Sequence, residues 1–120
     1  MAGGGDSGLP VSGRVALARL AGDVIARTDG VAATAGPAGR WQTVGSRQAV
    51  PGVLAVEDAR GRVELELHLV AGWPIRMPLE RLGEQLRERL RSAAGLAGID
   101  EQLGAVSVAF DDVQADTGRE

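Results

Sequence analysis

The 120-residue sequence contains no cysteine, no lysine and no tyrosine, and only one histidine, two tryptophans and one phenylalanine. Without cysteine, disulfides, thiolate nucleophiles and cysteine-held metals are excluded. The three aromatics, Trp41, Trp73 and Phe110, are too few to build a platform on which bases stack. All thirteen basic residues are arginine and the net charge is −3. A general nucleic-acid binder normally presents a basic field, so no nucleic-acid partner is expected. The heavy use of Ala, Gly and Arg points to a GC-rich coding sequence. No window approaches the roughly 18 apolar residues that mark a membrane helix. The opening "MAGGGDSGLPVSG" has neither a basic n-region nor an apolar run, so no signal peptide is expected. The expected location is the cytoplasm, with any membrane association arising through a partner.

Length and composition predict one domain, residues 12–113, between a Gly-rich disordered tail at 1–11 and a polar disordered tail at 114–120. Leu17, Leu20, Ala21, Val24 and Ile25 recur at helical spacing, with Ser12 as N-cap and "TDG" at 28–30 as the stop. "VAATAG" reads as a short strand. Residues 36–52, rich in Gly and Pro, read as a long loop that holds Trp41. Val53 to Val70 reads as a β-hairpin turning at 58–61. Its second strand alternates: Val63, Leu65, Leu67 and Leu69 face one way, Glu64, Glu66 and His68 the other. Trp73, Pro74 and Pro78 make a strand-to-helix corner, because a residue before proline avoids helical torsions. Pro78 suits the first helical position and Glu80 the positive end of the helix. Leu79, Leu82, Leu86, Leu90 and Ala93 form the buried stripe, Glu84–Arg87 and Glu88–Arg91 pair on the wet face, and Gly95 and Gly98 mark the end. Gly104 to Val113 is the last strand. The fold class is therefore α/β (α+β): a two-layer sandwich in the order α-β-β-β-α-β, with two helices on one face of a small mixed sheet and a parallel final step.

Few residues carry chemistry. His68 beside Glu64 and Glu66 could serve an acid–base or metal site, but it has no second histidine or cysteine to join it. The plainer expectation is an exposed cross-strand residue whose replacement by alanine is silent. Asp111 and Asp112 are neighbours in a strand and are expected on opposite faces, which excludes a dyad sharing one proton. "GGGDSG" follows no strand and lacks the Lys and Ser/Thr of a phosphate loop. The arginines of the loops and of the second helix read as solvated surface. No catalytic, cofactor-binding or metal residue is assigned, and no cofactor is expected.

Three segments together resemble the alkaline shock protein family of Gram-positive bacteria, the envelope stress response proteins. They are a helix ending in "DGV" at 29–31, a hairpin of the form Gly-Val-x-x-x … Val-x-Leu-x-Leu over 52–67, and "AGWPIRMPLERLGEQLRERL" leading from a strand into a helix. The final "VSVAFDDV" fits the same pattern, and the resemblance covers about residues 14–113. All-arginine usage and "AVPGV" at 49–53 are similar to an actinobacterial branch. The resemblance implies a non-enzymatic protein that self-associates, is held at the membrane in some members by a separately anchored partner, and serves envelope homeostasis. The surface expected to act is the uncovered sheet face with its neighbours: Trp41, Glu64, Glu66, His68 and Trp73, alongside Ser107 and Ala109. The alternative is a small RNA-binding or ligand-binding αβ module.

Overall fold

The computed structural model describes residues 13–45 and 48–115. Helix α1 (Gly13–Ala26) is followed by the short strand β1 (Val31–Ala33), then by a hairpin of β2 (Gln42–Gly45) and β3 (Gln48–Pro51). Strands β4 (Val53–Glu57) and β5 (Val63–Trp73), helix α2 (Leu79–Ala97) and strand β6 (Leu103–Ala115) complete the chain. The predicted N-cap Ser12, the tail at 1–11 and residues 116–120 lie outside the described residues. The last strand continues through Gln114 and Ala115, past the predicted boundary at 113.

β5 is the axis of the sheet. β6 runs parallel to it along one edge from Val63 to Trp73. β4 and β1, both antiparallel, share the other edge end to end, β4 against residues 63–67 and β1 against residues 69–71. The alternation along β5 does what its sequence demands: Val63, Leu65, Leu67 and Leu69 are almost wholly buried beneath the helices. α1 supplies Leu17, Ala18, Ala21 and Ile25 to that core, and α2 supplies Leu86, Leu90 and Ala94. Each fully buried leucine stabilises the fold by about 1.5–3 kcal/mol. The two helices are also tied directly, since Thr28 Oγ1 donates to the Val24 carbonyl and accepts from Arg89 Nη1.

Local signals place the connections. Asp58 Oδ1 accepts from the Arg60 and Arg62 backbone N–H groups at 2.8 and 2.9 Å and folds the β4–β5 turn where it was predicted. Pro78 stands at the N-cap of α2, one position earlier than predicted, and its carbonyl accepts from Leu82 N–H. α2 runs through Gly95 and stops at Gly98. Of the two predicted helix pairs, Glu84–Arg87 forms at 3.9 Å, while Arg91 turns instead to the Gly104 carbonyl.

Residues 36–52 are not a plain loop. They contain a 3-10 turn (Pro37–Gly39) and the β2–β3 hairpin, which folds back over α1 and the outer edge of β4. Thr43 locks it there: its hydroxyl donates to the Val53 carbonyl at 2.6 Å and accepts from Ala55 N–H at 2.9 Å. Val50 of β3 joins the core. The two four-residue strands pair with each other, Gln42 opposite Pro51 through Gly45 opposite Gln48, and the Thr43 bonds dock the pair on β4, context that local propensity does not supply.

Candidate functional site

On the sheet face away from the helices, Trp41 closes over β5. Its ring stacks on the imidazole of His68 with centroids 4.1 Å apart and planes 2° from parallel. The backbone clasps it in place: Trp41 N–H donates to the Ala35 carbonyl at 2.7 Å, and Gly52 N–H donates to the Trp41 carbonyl at 2.6 Å. One edge of the indole occupies the space a side chain on Gly36 would fill. His68 is consequently buried, only 5% exposed, rather than the open cross-strand residue its position in an alternating strand suggested. Its Nδ1 lies 2.9 Å from Asp111 Oδ2. Its Nε2 lies 3.1 Å from Glu66 Oε2, an ion-pair distance at an angle that makes no hydrogen bond, and this buried nitrogen has no hydrogen-bond partner.

The same residue marks a junction in the sheet. His68 N–H donates to the Gly52 carbonyl and its carbonyl accepts from Thr34 N–H, so β4 begins and β1 ends opposite His68. Gly52 holds φ +79°, and a Cβ there would lie 2.6 Å from Ala33 Cβ. Only glycine lets the two strand ends meet so closely.

Asp111 reaches His68 because β6 bulges. Leu69 pairs with Phe110 but Val70 pairs with Asp112, leaving Asp111 as the extra residue. The bulge also brings Asp111 and Asp112 to one open depression of about 530 Å³ beside Trp41 and Val70, instead of on opposite faces. Asp112 is engaged locally, accepting from Val113 N–H and from Gln114.

Of the five residues expected to act, the structure brings Trp41, Glu66 and His68 together and sets Glu64 two positions along the same face. Trp73 lies apart, 59% exposed at the far end of β5, beside a depression of about 520 Å³ that includes Ile75, Met77 and Leu79. Sequence reasoning missed Asp111 as the partner of His68. Among the described residues no group of three or more His, Asp or Glu side chains is arranged to hold a metal ion, and no helix is long and apolar enough to cross a membrane. What the cluster does chemically is seal the imidazole, which is packed between an indole and two carboxylates and only 5% exposed.

No family model, curated protein or solved structure matches this chain.

Proposed function

We propose that this protein is a non-catalytic member of the envelope stress response proteins, working in the cytoplasm through self-association and through contact with a partner anchored in the membrane. The observation that carries the reading is the one-sided layering. Both helices lie on one face of the sheet, and the other face stays open along Glu64, Glu66, Ala105 and Ser107. An exposed stretch of sheet of this kind, beside the half that Trp41 covers, suits macromolecular contact better than turnover of a small substrate. Glu64, Glu66, Asp111 and Asp112 give that side an acidic character, which favours a protein partner over a phosphate backbone.

The test is light scattering on the purified chain together with a tagged pull-down from the native host. A defined multimer that co-purifies with an integral membrane protein supports the reading. A monomer at high concentration with no such partner refutes it.

A further inference from the structure

The fold treats the two edges of its sheet differently. The β2–β3 hairpin covers the β4 edge through Thr43. Along the outer edge of β6, no strand is paired among the described residues. A long bare edge is a template for another strand, and folds normally blunt it with charge, proline, bulges or a covering element.

β6 is blunted only at its ends. The two register irregularities fall between Leu103 and Val106 and between Phe110 and Asp112. At those ends the backbone is already engaged, with Arg91 Nη2 donating to the Gly104 carbonyl at 3.2 Å and Asp112 Oδ1 accepting from Val113 N–H at 2.8 Å. Between them, "VSVAF" at 106–110 runs in unbroken register with β5 and carries no charge and no proline. Its centre is Val108.

The helix above this edge repeats the same symmetry in charge. α2 packs on β6, with Gly83 against Val108 and Arg91 over Gly104. Down that side, at i, i+4, i+7 and i+11, run Glu80, Glu84, Arg87 and Arg91, two acids and then two bases, with Arg81 beside them at the groove. The midpoint of the four lies between residues 85 and 86, about 4 Å along the helix from Gly83 at 1.5 Å per residue. That is roughly one strand residue from Val108 at about 3.3 Å per residue. A two-fold axis near Val108 would therefore lay the acidic half of each helix against the basic half of the other.

We infer that a second copy of this chain is the occupant of the β6 edge, paired antiparallel through residues 106–110 about a two-fold axis at Val108. The inference deepens the self-association proposed above and rests on it. The pairing extends one sheet through both copies and brings the two α2 helices side by side. It also covers the groove of about 680 Å³ between α2 and β6, whose apolar lining is Pro78, Leu79, Val108 and Phe110. A strand from an unrelated protein would satisfy the backbone, but it would give the order of charges on α2 no role.

The test compares the wild type with Glu84→Arg, Arg87→Glu and the double variant, by light scattering and sedimentation, with circular dichroism confirming the fold. The wild type is expected to dimerise. Each single variant sets like charges face to face and should weaken the dimer about tenfold or more. The double variant exchanges both signs and should restore it. Amide exchange should slow with rising concentration at residues 106–110 and not in the β2–β3 hairpin. A wild-type multimer that ignores the single variants and shows no concentration-dependent protection at 106–110 overturns the edge assignment but leaves self-association standing. A double variant as weak as the singles overturns the two-fold arrangement. A wild-type monomer overturns both readings.

Discussion

Replacing Gly52 by alanine tests the junction at His68 most directly. Two penalties are expected. An L-residue in the left-handed region costs about 1–2 kcal/mol. The new Cβ would also lie 2.6 Å from Ala33 Cβ and 3.0 Å from both the His68 carbonyl oxygen and Thr34 nitrogen. None of these atoms can be moved by a side-chain rotation, so the meeting point of β4 and β1 must open. Opening strains the Gly52–Trp41 and His68–Gly52 hydrogen bonds, now 2.6 and 2.7 Å long, at about 1 kcal/mol each. The sum is about 3–4 kcal/mol. Gly61 is the internal control: its φ is +82° but nothing lies within 4 Å of a Cβ there. Gly61→Ala should therefore show the conformational cost alone, about 1–2 kcal/mol. Urea unfolding of both variants measures the difference, expected at about 2 kcal/mol, or roughly 8–16 °C in Tm for a domain of this size. Costs equal within about 0.5 kcal/mol would refute the close approach as the reason for glycine at 52.

Three further outcomes follow from the same packing. Thr43→Val removes both bonds to the β4 edge and leaves a buried carbonyl and N–H unpaired, so urea unfolding should report a loss of about 2–4 kcal/mol; a neutral result would mean the hairpin is not held there. His68→Ala removes the partner of both Trp41 and Asp111 and should cost about 2–3 kcal/mol in the same assay, where an exposed histidine would cost nothing measurable. The tryptophans should separate under acrylamide: Trp41→Phe leaves the exposed Trp73, with red-shifted and readily quenched emission, while Trp73→Phe leaves the stacked Trp41, blue-shifted and partly protected. Equal quenching of the two would contradict the stack.

The elements read best from sequence were those whose pattern is complete within the segment. The stripes of α1 and α2, the alternation of β5 and the Asp58 turn each carry their own signal. What was hidden depends on residues that meet only in the fold. The alternation of β5 correctly put His68 opposite the core, but nothing local tells that Trp41 returns to cover that face. Asp111 and Asp112 were assigned to opposite faces by the strand period, and a bulge shifts that period by one residue without leaving a mark in composition. The β2–β3 hairpin was concealed because its segments are short and its docking depends on Thr43 reaching another strand. The exposure of Trp73 at the strand-to-helix corner was compatible with the sequence but not dictated by it.

The Thr43 latch has a consequence for the size of an assembly. A sheet with two bare margins can add copies without end, and such open-ended addition makes fibres. Here one margin is closed by the chain's own hairpin, and β1 beside it is only three residues long. Once two copies have joined along β6, neither outer margin offers a long template to a third. In the dimer inferred above, Thr43 would act as a chain stopper, and a variant that releases the hairpin is where uncontrolled growth would begin.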